Sequence, residues 1–226
     1  MKTGIIIYSL LALLLLSCDG MNDNIEEYLD RGEVNYLGRV DSASAIGGKE
    51  RILFTWQLGK DPRIEECLIT WNERQDSVIV PVDLSQIDEN GYFSVVIGDF
   101  KEGTYVFNMY HLGKKGYPSI KHEVVGKVYG EKYQASLYPR GMKEIVVKDE
   151  KVKLSWGTAT DSCRVMLSYP DISGKMQSLA ISALEDSTLI DSYKPGGEFT
   201  YRTYYLPEPN ALDEFFVDSD KMQFPM

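Results

Sequence analysis

The side chains able to do chemistry in this sequence are few and poorly spaced for it. Its two histidines, His111 and His122, share no metal-ligand spacing with each other or with a cysteine. A solitary histidine at a strand edge is expected to be merely solvated. Adjacent carboxylates occur as Glu65-Glu66, Asp88-Glu89 and Asp213-Glu214. On a strand, neighbouring side chains point to opposite faces, so such pairs do not converge on one bond as a glycosidase's acids must. Asp218-Ser219-Asp220 offers two carboxylates to a calcium ion but no closing ligand. No Gly-x-Ser-x-Gly elbow, phosphate-cradling glycine loop or dinucleotide fingerprint is present. The sequence therefore predicts no catalytic residue, no metal site and no cofactor: it does not read as an enzyme.

Recognition chemistry is better represented. Fifteen tyrosines are many for 226 residues, and they crowd the C-terminal half. Two alternating sets compete for the core there: Phe199, Tyr201, Thr203 and Tyr205 on one face, Thr200, Arg202, Tyr204 and Leu206 on the other. If the first set is buried, Arg202 and Tyr204 stand outside beside Tyr193, a stacking surface with a bidentate donor. Sugar rings and protein hot spots both favour tyrosine and arginine. Tyr193, Arg202 and Tyr204 are thus the candidate ligand-binding residues. The competing expectation is that these aromatics only cover the ends of a small domain and the tail segment Phe215-Phe216.

The elements that must position these side chains emerge on comparing the chain with itself. Arg51-Ile52-Leu53-Phe54-Thr55-Trp56 recurs one hundred residues later as Lys151-Val152-Lys153-Leu154-Ser155-Trp156. Both alternate toward a terminal Trp, as half-buried strands do. A polar loop containing Asp follows each, Gly59-Lys60-Asp61-Pro62 and Thr158-Ala159-Thr160-Asp161. A second alternation comes next, with Cys67, Ile69 and Trp71 on one face in the first unit and Cys163, Val165, Leu167 and Tyr169 in the second. Late in each unit, Phe100 to Phe107 matches Tyr193 to Tyr201, the glycines making a turn before an aromatic strand. Val78–Val82, Tyr92–Ile97, Met176–Ile181 and Ser187–Ile190 fill the interval, separated by turn signals such as Asp88-Glu89-Asn90-Gly91. Two units of about 95 residues with about seven short strands each have the rhythm of an immunoglobulin-like sandwich. Residues from Gly126 to Tyr133 join them with little slack, so a fairly fixed angle is expected.

Composition narrows the partners. The formal net charge is −10, which argues against nucleic acid and against anionic lipid, since both need basic patches, and mildly against strongly sulfated glycans as the main ligand. Cys67 and Cys163 fall in separate units at the start of apolar alternations, where buried free thiols are expected rather than a disulfide.

At the N-terminus, Lys2 precedes the apolar run Ile5–Leu16, too short to span a bilayer but the length of a signal-peptide core. Leu15-Leu16-Ser17-Cys18 resembles the bacterial lipobox, which implies cleavage before Cys18 and acylation of its thiol. More than one acyl chain suffices for stable anchoring. The acidic stretch Asp19 to Asn24 reads as a tether and resembles the signal that sends Bacteroidetes lipoproteins to the outer face of the outer membrane; Ile25 to Leu29 could form one helical turn.

Within the repeats, Val152-Lys153-Leu154-Ser155-Trp156 resembles the second strand of a fibronectin type III domain, and Gly103 to Tyr110 its sixth. The resemblance implies that Tyr105 is the corner tyrosine, its hydroxyl bonding back to the chain; Phe199 stands at that place in the second unit, where the bond is lost. As a whole the chain resembles a Bacteroidetes lipoprotein family, domain-of-unknown-function family 4998. This rests on Tyr28-Leu29 through Tyr36 to Ser42, Gly103 to Phe107, Gly126-Lys127-Val128-Tyr129-Gly130, and Tyr193-Lys194-Pro195-Gly196 with Phe199 to Thr203 and Tyr205-Leu206-Pro207. The family brings no assigned activity or site residues. Its setting near glycan-import machinery implies a surface lipoprotein with an accessory glycan-binding or glycan-import role. The alternative is a spacer or protein-interaction module of the envelope. The expected architecture is all-β: a lipoprotein signal peptide at 1–17, a tether at 18–33, and two fibronectin type III-like sandwiches at 34–130 and 131–226. Expected partners are the membrane, through lipid on Cys18, and a polysaccharide or an outer-membrane import complex, with no nucleic acid.

Overall fold

A computed structural model describes residues 35–115, 117–159 and 162–226. The expected signal peptide, Cys18, the tether and the turn at Ile25 to Leu29 lie outside the described residues, as do Gly116 and the Thr160-Asp161 end of the second polar loop.

The alternating segments form strands whose order repeats. In the first unit β1 (Asp41–Gly47), β2 (Ile52–Gln57) and β5 (Tyr92–Ile97) make one antiparallel sheet, in the order β1-β2-β5. The facing sheet is β4-β3-β6-β7, built from β3 (Glu66–Trp71), β4 (Asp76–Pro81), β6 (Gly103–Leu112) and β7 (His122–Val128). The second unit repeats this with β8 (Met142–Lys148), β9 (Lys151–Trp156) and β12 (Ser187–Ile190) in one sheet. Its other sheet runs β11-β10-β13-β14, from β10 (Cys163–Pro170), β11 (Met176–Ser182), β13 (Glu198–Tyr205) and β14 (Phe215–Asp218), with β15 (Met222–Gln223) also paired to β13. A three-stranded sheet facing a four-stranded one, with the chain crossing between them after the second, fourth and fifth strands, is the fibronectin-like sandwich.

Each sandwich closes over its own core. Ile52, Phe54, Trp56, Cys67, Ile69, Phe107 and Met109 are wholly buried in the first; Val152, Leu154, Trp156, Val165, Leu167 and Phe199 fill the second. Burial desolvates the Cys67 thiol and pushes its pKa up to about 12; Cys163 is also free and buried. The Tyr105 hydroxyl donates to the Lys101 carbonyl at 2.8 Å, so the corner bond exists in the first unit. In the second, Phe199 stacks on Phe224 at 4.5 Å instead.

His111 is not the solvated edge histidine expected from its isolation. It is wholly buried, its Nδ1 donating to the Gly38 carbonyl at 2.8 Å, while Nε2 has no partner among the described residues. The reason is an N-terminal strap, residues 35–40, that closes over the end of β6. Asp61 holds the strap by accepting the Gly38 N–H at 3.0 Å and chelating Arg63 at 2.8 and 2.7 Å. The Arg63 bonds hold its carboxyl well below the usual carboxylate range.

In the second sandwich the organising polar group is Arg140, almost wholly buried. It donates to the carbonyls of Gly157 at 3.0 Å, Ser182 at 2.9 Å, Ala183 at 3.1 Å and Glu185 at 2.8 Å. Its guanidinium lies 5.7 Å from the Trp156 ring centre, and its own carbonyl accepts the Tyr201 hydroxyl.

The joint between the sandwiches begins after Val128 and contains a short helix, α1 (Glu131–Ala135), which the sequence had not signalled. Glu102 accepts the N–H groups of Lys132 and Tyr133 at 2.7 and 2.9 Å, satisfying the open amides at the start of α1 and placing negative charge where the helix dipole favours it. From the other side, Asp213 chelates Arg51 at 2.9 and 2.5 Å and accepts the Lys49 N–H. Gly47 accepts the Leu212 N–H at 2.9 Å. Gly48 must stay small because a Cβ there would meet the Asp213 carboxylate and Leu212. Tyr129, Tyr133 and Phe215 pack edge-on at 5.0 to 6.3 Å; burial, with the nearby Glu208, pushes the Tyr129 hydroxyl up to about 12.

Candidate functional site

Alternation along β13 decides which side chains face out. Phe199, Tyr201 and Thr203 are buried. Arg202 and Tyr204 therefore stand on the outer face of the four-stranded sheet, as the first of the two alternations requires. Register then brings distant residues alongside them. Arg164 on β10 lies opposite Tyr204, and Phe216 and Asp218 on β14 lie opposite Tyr204 and Arg202.

The result is a ladder of charge and rings. Glu214 grips Arg164 through two bonds of 2.9 and 2.6 Å. The Arg164 guanidinium sits 3.8 Å from the Tyr204 ring centre, and Tyr204 lies 6.0 Å from Phe216. Arg202 covers Phe216 at 4.0 Å and is itself chelated by Asp218 at 2.7 and 2.9 Å. Each carboxyl is held below its ordinary range chiefly by its arginine's hydrogen bonds. Beside the ladder lies an open hollow of about 360 Å³ lined by Met166, Ser168, Thr200, Arg202, Tyr204 and Asp218.

Two features depart from the sequence expectation. Tyr193 does not stand beside Arg202 and Tyr204. It is buried in the second core, edge-on to Phe224 at 5.2 Å, because the C-terminal segment folds back under it. Arg202 is not an unpaired bidentate donor, since Asp218 already accepts from its Nε and Nη2. That same pairing takes Asp218 away from the calcium arrangement considered for Asp218-Ser219-Asp220. Among the described residues no group of three or more His, Cys, Asp or Glu side chains gathers as a metal site.

Arg164, Glu214 and Phe216 were missed in the sequence. Arg164 was legible as an outward position between Cys163 and Val165, but its place opposite Tyr204 depends on strand register. Phe216 stands in the sequence only as part of a tail segment for other aromatics to cover, although it is the ring under Arg202.

The family model for DUF4998, a domain of unknown function, matches residues 18–215. The chain belongs to this family. No curated protein matches the DUF4998 chain. Among solved structures it is similar to the chicken CNTN1 FN1–FN3 domains, at 14% identity and a TM-score of 0.48, over 83% of this chain and 64% of that one. It therefore spans less than two thirds of that structure's length. It is also similar to a two-domain fibronectin type III segment of chicken tenascin, at 12% identity and a TM-score of 0.34, over 82% of this chain and 99% of that one.

Proposed function

We propose that the chain is a non-enzymatic, lipid-tethered module of the bacterial envelope that binds a protein partner through the outer face of its second sandwich. One observation carries the choice of partner class: the arginines lie over the rings. With Arg164 on Tyr204 at 3.8 Å and Arg202 on Phe216 at 4.0 Å, both rings at the centre of the face carry a guanidinium where a sugar ring would stack. It offers instead a stiff pattern of paired charge with tyrosine and arginine at its centre, a composition that protein hot spots favour. The braced joint holds this face in one orientation to the first sandwich. The glycan-binding or glycan-import role implied by the family's setting is the competing reading, supported by the polar hollow beside Arg202.

The test is a photo-crosslinking amino acid placed at Met166 in the full chain in its native host, with Lys153 on the other sheet as control. A discrete adduct at Met166 alone, lost in Arg202→Glu, supports the reading. A glycan-array hit abolished by Arg202→Ala, with no adduct at Met166, replaces it with sugar recognition.

A further inference from the structure

We infer that the entry end of the first sandwich is a footing that rests on phosphate-bearing lipid headgroups. The inference rests on the lipid-anchor reading of Cys18. β6 runs from Gly103 at the joint to Leu112 at the opposite end, so the described loop residues 113–115 and 117–121 lie away from the second sandwich. The N-terminal strap docks on this loop. Leu37 donates its N–H to the Tyr117 carbonyl at 3.2 Å, and Tyr117 donates to Asn35 at 3.4 Å. The described chain begins there, and the eighteen residues from Cys18 to Asn35 reach at most roughly 60 Å when extended. An acyl-anchored chain thus presents this end to its own membrane.

The surface at that end is unlike the rest of the protein. Tyr36, Tyr117 and Ile120 are 52, 58 and 62% exposed, with the two tyrosine rings 6.0 Å apart. Lys114, Lys115 and Lys121 surround them, all exposed, and the loop carries no acidic residue in a chain of net charge −10. Glu65 reaches Lys114 at 3.2 Å and Glu123 reaches Lys121 at 3.1 Å; Lys115 has no carboxylate partner among the described residues. Tyrosine is the side chain that settles at a membrane interface, one end apolar and the other wet. Lysine stems lie along apolar surface while the ammonium meets phosphate. The patch is too small to bind a membrane strongly alone, but tethering keeps the bilayer at high effective concentration. The partner ladder, on the second sandwich, is then held outward.

The experiment uses the full lipidated chain in vesicles of equal parts phosphatidylethanolamine and phosphatidylglycerol. A nitroxide is placed by Ile120→Cys, or by Ile172→Cys at the far end of the second sandwich; Cys67 and Cys163 are buried and do not compete for the label. The expected result at 120 is a several-fold fall in collision with a water-soluble nickel chelate and a rise with oxygen, while 172 stays aqueous. Charge reversal by Lys114→Glu, Lys115→Glu and Lys121→Glu together returns 120 to aqueous values. A label at 120 that is aqueous on protein whose mass shows acylated Cys18 overturns the footing and leaves the anchor standing. An unacylated Cys18 overturns the anchor reading, and the footing with it.

Discussion

Replacing Arg140 by methionine keeps an unbranched chain of similar reach and removes four charged donors at once. The carbonyls of Gly157, Ser182, Ala183 and Glu185 each lose their guanidinium partner, in a site where Arg140 is only 4% exposed. The Ser182 carbonyl keeps the Glu185 N–H at 3.2 Å, so three acceptors are orphaned, and at roughly 1 kcal/mol each they cost about 3 kcal/mol. The guanidinium carries its own desolvation penalty, which methionine does not, and this offsets part of the loss. A net destabilisation of about 2 kcal/mol remains, a sizeable share of the ~5–15 kcal/mol that holds a typical domain folded. Because each 1.4 kcal/mol is about tenfold, amides that exchange by opening of the second sandwich should exchange roughly 30-fold faster. Native-state hydrogen exchange read on peptides covering residues 163–170 and 198–205 measures this, with 66–71 and 103–112 in the first sandwich as internal control. Acceleration below tenfold in the second sandwich would refute the assignment of Arg140 as its polar keystone. Equal acceleration in both sandwiches would refute its locality.

Three other outcomes follow from the structure. Burial holds the His111 imidazole below its ordinary value of 6.5, so the unfolded chain takes up that proton first. Its contribution to stability is therefore complete above pH 6.5 and is lost as pH falls below it; urea midpoints of His111→Gln should fall less than wild type between pH 7.5 and 5.5, and parallel curves would contradict the burial. With the Cys67 thiol pushed to about 12 and Cys163 also buried, a disulfide-exchange reagent at pH 8 should modify neither in the native protein and both in urea. Gly48→Val should wedge open the joint by driving a branched side chain into Asp213 and Leu212. Spin-echo distances between labels at Ile79→Cys and Met176→Cys should then broaden while far-ultraviolet circular dichroism stays unchanged, whereas an unchanged distance distribution would mean that Gly48 bears no load at the joint.

Much of the fold was legible because alternation is a local property. The pair of motifs ending in Trp56 and Trp156, and the burial of Phe199, Tyr201 and Thr203, follow from period-two patterning without knowledge of any partner. The corner bond from Tyr105 was legible for a similar reason, since its acceptor, Lys101, is four residues away. What was not legible depends on segments that arrive from afar. Tyr193 looks like a surface aromatic until Phe224, near the other end of the unit, folds beneath it. His111 looks solvated until the strap brings the Gly38 carbonyl to its ring. Arg202 looks free until register sets Asp218 opposite, and Arg164 looks like an ordinary outward residue until the same register places it over Tyr204. Arg140 gave no signal at all, because its partners are backbone carbonyls and carry no side-chain signature.

The strap also decides how the protein would carry a mechanical load. Tension applied at Asn35 does not reach β1 as an edge strand to be unzipped one hydrogen bond at a time. It meets first the parallel bridge between Tyr36 and Tyr117, then the Gly38 contacts to Asp61 and His111. These attach to three separate places: the loop joining β6 to β7, the loop after β2, and the end of β6 itself. A pull must therefore release three attachments, and it reaches β6, an interior strand of the first sandwich, before the edge strand β1.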